Sequence, residues 1–154
     1  MSFEKKESLS ITTQTLNASE LIDLIYKGNN LPQDNRFLPT EEGGVFGYFN
    51  LMHAGRDNKF PVVKEGDKIV GLSELEKSPY SDKTFWIQFL SIDPKYQNKG
   101  YASKLGEEIF RFAKQEGYSL ETSSYTEIGY EKLKGLFNKL AEEYSVNFID
   151  KKKI

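Results

Sequence analysis

Two hydrophobic periods alternate along the chain, and each change marks an element. Residues 8–15 are rich in Thr and Ile and read as a first strand. Asn17 is placed to cap a helix, with Glu20 at the third helical position as its reciprocal partner and Leu16 and Leu21 positioned as a hydrophobic staple. That helix runs over Leu21, Leu24 and Ile25 and stops at Gly28. A polar loop leads to Thr40, which caps a second helix with Val45, Phe46, Phe49 and Met52 on one stripe and Gly55 at its end. Residues 60–63 and 68–75 form a hairpin around Glu65, Gly66 and Asp67. Residues 84–92 make the strongest strand: Phe85, Ile87 and Phe89 face one way, and Trp86, Gln88, Leu90 and Ile92 the other. With both faces largely apolar, it belongs at the centre of a sheet.

The helical period then returns. Ala102, Leu105, Ile109, Phe112 and Ala113 trace one face over residues 101–116, and Gly117 is placed to stop the helix. Residues 118–123 read as a strand. Ser124 and Glu127 fit a capping box for a last helix carrying Leu133, Phe137, Leu140 and Tyr144, and residues 146–149 offer a final strand. This order predicts an α/β (α+β) fold in which about four helices flank one twisted mixed sheet, within a single domain over 1–154.

Composition narrows the chemistry. Cysteine is absent, so disulfides, thiolate metal sites and a cysteine nucleophile are excluded. The 21 Lys and Arg residues against 23 Asp and Glu leave a formal charge of -2, which argues against a nucleic-acid partner. The run Lys151, Lys152, Lys153 reads as a solvated tail. The N-terminal residues lack the apolar segment of a signal peptide, and no stretch approaches a membrane span, so the expectation is a soluble cytoplasmic protein with no membrane partner.

The chemistry concentrates where the central strand passes through Asp93 and Pro94 into Gln97, Asn98, Lys99, Gly100, Tyr101 and Ala102, and then directly into a helix. A helix start presents unpaired N–H groups and the positive end of the helix dipole, so it holds phosphate without many cationic side chains. Gly100 and Ala102 permit close approach, and Lys99 and Lys104 are available to add charge. The nucleoside-triphosphate pattern G-x-x-x-x-G-K-[ST] and the dinucleotide pattern G-x-G-x-x-G are both absent from this stretch. The alternative is that Gly100 is only a turn residue before a helix.

Leu90, Ser91, Ile92, Asp93 and Pro94, followed by Gln97-x-x-Gly100-x-Ala102, resemble motif A of the Gcn5-related N-acetyltransferases. The element order extends the resemblance over nearly the whole chain. It implies a splayed, mostly antiparallel sheet that binds acetyl-coenzyme A, with the backbone around Leu90, Ser91 and Ile92 against pantetheine. The amides of Gln97, Asn98, Lys99, Gly100, Tyr101, Ala102 and Ser103 would hold the pyrophosphate. It further implies direct acetyl transfer to an amine acceptor, without a covalent enzyme intermediate and without a metal. Three departures stand out. Asn98 replaces a common glycine, the Gly-Phe after the tyrosine segment is lacking, and one terminal strand is present where relatives commonly have two. The open sheet edge suggests a route to a homodimer.

An acceptor amine with a pKa of about 10.4 needs a base near neutral pH. Glu74, on the strand before the central one, is the first choice, with a solvated surface role as the alternative; Glu76 lies nearer the loop. Gln88 occupies a position where some relatives carry glutamate, and an amide is no base. His53 has a suitable pKa but sits near a helix end. The resemblance implies a tyrosine acid for the departing thiolate: Tyr130 is preferred, with a core role or Tyr125 as alternatives. An idle acyl-coenzyme A sensor, or an interaction protein on the same fold, is the competing class of function. The resemblance also implies that residues 29–37 and the helix from Thr40 to Gly55 line the acceptor cleft, where Asp34, Glu41 and Glu42 are available to attract a cation, with a surface role as the equal alternative.

Overall fold

The computed structural model describes residues 10–27, 57–122 and 127–150, and within them the element order is strand, helix, three strands, helix, strand, helix, strand. The expected second helix and the loop before it, with Asp34, Glu41, Glu42 and His53, lie outside the described residues, as do Ser124 and Tyr125.

The first strand, β1 (Ile11–Asn17), leads directly into α1 (Ala18–Lys27). The reciprocal cap forms: the Asn17 N–H donates to Glu20 Oε1 at 2.9 Å, and the Glu20 N–H donates to Asn17 Oδ1 at 2.8 Å. Leu16 and Leu21 close the staple inside a buried cluster with Phe60, Val62, Ile69 and Leu72. β1 starts later and ends later than the sequence pattern suggests because it pairs along the full length of β2 (Lys59–Glu65), from Ile11 opposite Glu65 to Asn17 opposite Lys59.

β3 (Lys68–Lys77), β4 (Thr84–Ile92), β5 (Ser119–Thr122) and β6 (Phe148–Asp150) complete a six-stranded sheet whose spatial order equals the chain order. The first three pairings are antiparallel and the last two parallel. Parallel neighbours need crossovers, supplied by α2 (Tyr101–Glu116) and α3 (Glu127–Tyr144). β6 begins after Val146, which is instead buried at the end of α3, its N–H donating to Ala141 O at 3.0 Å.

The expected strict alternation of β4 is corrected by a bulge. Glu74 pairs with Phe89 and Leu75 with Ile87, leaving Gln88 as an extra residue on β4. A bulge shifts the two-residue period by one. Phe85 and Ile87 before it, and Leu90 after it, therefore join clusters on the same α2-facing side, where Ile92 packs with Leu105.

α2 seats Leu105, Ile109, Phe110 and Ala113 against the sheet, all fully buried. Each large side chain removed from water in this way contributes about 1.5–3 kcal/mol. α3 comes close because Gly106 has no side chain: a Cβ there would lie 2.9 Å from Leu140 Cδ1. The rings of Phe110, Phe137 and Phe148 then meet at centroid distances of 5.6–5.9 Å. One charge is buried in this layer. The Glu108 carboxylate receives Thr13 Oγ1 (3.1 Å), Thr15 Oγ1 (2.7 Å), Arg111 Nε (2.9 Å) and Arg111 Nη2 (2.6 Å), tying α2 to β1. This packing holds the α2 N-terminus at the end of β4.

Candidate active site

β4 ends in a turn built from short-range hydrogen bonds. The Asp93 N–H donates to Val70 O at 2.9 Å, and its carboxylate accepts from the Lys95 N–H at 2.9 Å at the start of a 3-10 turn, Pro94–Tyr96. Gln97 Nε2 reaches back to Ile92 O at 3.3 Å. Asn98 has φ 64° and Gly100 has φ 82°, both in the left-handed region. Asparagine is among the few non-glycine residues that visit this region readily, so the departure of Asn98 from the motif's glycine keeps the loop geometry.

Gly100 caps α2 without any side-chain hydrogen bond, and the first helical bond is Lys104 N–H to Gly100 O at 3.2 Å. The N–H groups of Tyr101, Ala102 and Ser103 therefore have no partner within the helix and point out of its positive end.

These groups open into a cleft of about 380 Å³. Leu90 and Ile92 from β4, Tyr96, Gln97 and Asn98 from the loop, Gly100, Tyr101, Ala102 and Ser103 from the helix start, and Leu133 and Leu136 from α3 line it. Most of the residues expected to contact a coenzyme thus meet in one place. Ser91 does not line the cleft: after the bulge it alternates with Leu90 and Ile92 and pairs with Leu72. Lys99 is exposed beside it, with Nζ 5.5 Å from the centroid of the Tyr96 ring. Lys104 turns the other way, into a separate hollow with Ile11, Thr13, Glu107, Glu108, Arg111 and Tyr144. Tyr96, Leu133 and Leu136 were not anticipated; Leu133 was assigned only to the core face.

Along the floor of the cleft the sheet comes apart. β5 pairs with β4 only from Thr84 opposite Ser119 to Ile87 opposite Thr122. From Gln88 to Ile92, β4 has β3 on one side and, among the described residues, no strand on the other. Among the described residues, Thr122 Oγ1, at the last β4–β5 pair, and Trp86 Nε1, one pair before it, are buried without a hydrogen-bond partner. Strand backbone left unpaired, next to uncapped helix amides, fits an extended ligand with an amide-bearing arm and an anionic end.

Glu74 is buried, at 7 % exposure, rather than solvated. Asn58 Nδ2 donates to its Oε2 at 2.9 Å. Burial raises its pKa above the ordinary 4.5; the Asn58 hydrogen bond opposes this and the nearby Glu76 charge adds to it. By strand alternation Glu74 shares the α1 face with Leu72, opposite the cleft face of Leu75. β4 and β5 part after Ile87 and Thr122, leaving a gap between them among the described residues. Gln88, at the bulge, borders this gap. Tyr130 is the fourth residue of α3, which starts at Glu127. Among the described residues, no group of three or more His, Asp or Glu is arranged to hold a metal ion, and no helix is long and apolar enough to cross a membrane.

The sequence model of the acetyltransferase (GNAT) family matches residues 26–139. A comparison with curated proteins finds no match. Among solved structures, the ribosomal-protein-S18-alanine N-acetyltransferase from Escherichia coli superposes with a TM-score of 0.57 at 15 % identity, over 85 % of this chain and 76 % of that one. The aminoglycoside acetyltransferase meta-AAC0020, from an uncultured soil metagenomic sample and in complex with sisomicin, gives 0.54 at 16 % identity, over 82 % and 86 %. A GNAT family acetyltransferase from Elizabethkingia anophelis with acetyl-CoA bound gives 0.54 at 20 % identity, over 81 % and 72 %. At these identities the likeness is one of fold.

Proposed function

Because the chain belongs to the GNAT acetyltransferase family, we propose that it transfers acetyl from acetyl-coenzyme A to a primary amine of a small molecule or protein, by direct attack in a ternary complex. The observation that carries this reading is the uncapped start of α2 opening beside the unpaired half of β4. The N–H groups of Tyr101, Ala102 and Ser103 hold the pyrophosphate, with the left-handed Asn98 and Gly100 shaping the loop around it. The backbone of Leu90, Ser91 and Ile92 pairs with the pantetheine arm in place of a strand, and Leu133 and Leu136 cover it. Acetyl-coenzyme A supplies the activated thioester at the β4–β5 gap.

The acceptor approaches from the α1 face, where Glu74 takes a proton from its ammonium form. A carboxylate with a raised pKa is better matched to this task than a solvated one. The neutral nitrogen bonds to the thioester carbonyl carbon, the carbon–sulfur bond breaks as Tyr130 donates its hydroxyl proton to the departing thiolate, and the proton that the acylated nitrogen then gives up returns through solvent to the tyrosinate, leaving the neutral amide and free coenzyme A. No covalent enzyme intermediate and no metal takes part. The reading also takes residues 1–154 as one domain working in the cytoplasm, without nucleic-acid or membrane partners. The outer edge of β6 is then the route to a homodimer.

Turnover of acetyl-coenzyme A with a panel of amines, followed by thiol release, tests this function. Binding with no turnover on any amine would favour the second reading, an acyl-coenzyme A sensor, for which Gln88 in place of a carboxylate beside the gap is the supporting observation. Tyr130→Phe should slow turnover far more than it weakens coenzyme binding, since only the transferable proton is lost.

A further inference from the structure

The loop from Gln97 to Gly100 is strung between two tyrosines, and both are held by one hairpin. At the helix end, the Tyr101 hydroxyl donates to Glu65 Oε2 at 2.7 Å, from the last residue of β2. At the turn end, Lys68 Nζ, on the first residue of β3, donates to the Tyr96 hydroxyl at 3.3 Å and lies 4.9 Å from its ring centroid. The two rings stand 6.1 Å apart, and both line the cleft. Glu65 and Lys68 are themselves paired across the hairpin, and the turn is tied to the strand before it by Gly66 N–H to Ser10 O at 2.8 Å. Neither Glu65 nor Lys68 lines the cleft.

We propose that the β2–β3 hairpin preorganises the coenzyme loop, with Glu65 and Lys68 as positioning residues that act through Tyr101 and Tyr96. The proposal rests on the reading that this loop holds the pyrophosphate. Donors fixed in advance bind an anion more tightly than donors that must first be ordered, so the clamp acts on affinity and leaves the chemical step alone. The hydrogen bond that the Tyr101 hydroxyl donates to Glu65, then burial and the neighbouring Glu65 and Tyr96, raise its pKa above the ordinary 10.0, so it remains a donor well beyond neutral pH. Both contacts are charge-assisted, and the one to Glu65 is the shorter, 2.7 Å against 3.3 Å at Lys68.

Calorimetric titration with coenzyme A, together with acetyl-coenzyme A kinetics, tests the clamp in the full chain. Glu65→Ala, outside the cleft, is expected to raise the dissociation constant and the KM for acetyl-coenzyme A about tenfold with kcat unchanged, and Tyr101→Phe to raise the dissociation constant by a similar factor. The double variant should be no worse than either alone, because both remove the same contact. Glu65→Gln keeps an acceptor and should restore affinity to within about threefold of the original. Lys68→Met should have the smaller effect. In the ligand-free protein, Tyr101→Phe should speed amide exchange at residues 97–103 and leave the sheet protected. Additive effects, a fall in melting temperature with unchanged affinity, or no rescue by Glu65→Gln would overturn the proposal and leave the coenzyme reading standing. Failure of the unaltered protein to bind coenzyme A would overturn both.

Discussion

The two helix starts α1 and α2 meet the same electrostatic problem in opposite ways. At α1, Asn17 and Glu20 exchange two hydrogen bonds, so the exposed donors are satisfied by the chain itself. At α2, Gly100 contributes no side chain, and the three amides that follow face a cleft. The first solution favours stability and the second leaves capacity for a ligand. The same contrast recurs in the buried carboxylates. Glu108 takes four donors, two of them from Arg111, and serves as a fixed tie between α2 and β1. Glu74 has, among the described residues, a single donor, Asn58, and a pKa raised by burial. Among the described residues, Glu108 is a fully partnered tie, whereas the unpartnered Thr122 Oγ1 and Trp86 Nε1 lie on the two strands that part at the β4–β5 gap.

The most severe way to break the contrast is to give α2 the acid that α1 carries. Glu20 is the third helical residue of α1, and Ser103 is the third of α2. Ser103→Glu should maintain or raise the melting temperature, as a carboxylate suits a helix start, yet weaken coenzyme A binding by about a hundredfold or more. Calorimetry and thermal denaturation read the two effects separately.

Glu74→Gln sharpens the carboxylate comparison. It should lower kcat by about a hundredfold or more, with coenzyme binding intact. Its stability effect has the opposite sign. A raised folded-state pKa means that the native state holds the proton more tightly than the unfolded chain, so stability falls as pH rises from the ordinary carboxylate range through the Glu74 pKa. The amide should flatten that part of the pH–stability curve and be the more stable form at pH 7. In the unaltered enzyme, kcat/KM should rise over the same interval in which stability declines.

A smaller effect tests the loop. Asn98→Gly should leave coenzyme affinity unchanged, whereas Asn98→Val, a β-branched residue forced to φ 64°, should weaken it about tenfold and cost about 1–2 kcal/mol of stability. The smallest functional effect is expected at the closed start: Asn17→Ala should cost about 1 kcal/mol of stability and leave coenzyme affinity untouched. A loss of affinity there would mean that the two starts are not independent.

Local signals were the legible ones. The capping box of α1, the hairpin at Gly66 and the end of α2 at Gly117 depend on residues within a few positions of each other, and the sequence pattern located each. The helix start with Gln97, Gly100 and Ala102 was legible for the same reason. The bulge at Gln88 was not, because an extra residue in one strand is defined only by its partner's register. That omission misplaced Leu90 and Ile92 relative to Phe85. Lys104 was misjudged because a helix turns by about 100° per residue, which carries it round to the β1 side. The burial of Glu74 was not legible because its desolvation comes from tertiary packing; the partner Asn58, sixteen residues away, has no local mark.

The central claim is that the open start of α2 and the unpaired half of β4 together hold coenzyme A. Isothermal titration with acetyl-coenzyme A, with adenosine diphosphate as the phosphate-only control, tests it most directly. The account predicts micromolar binding that depends on the pantetheine arm and is far weaker for the diphosphate. Equal affinity for both would contradict the role of β4, and no binding to either would contradict the site altogether.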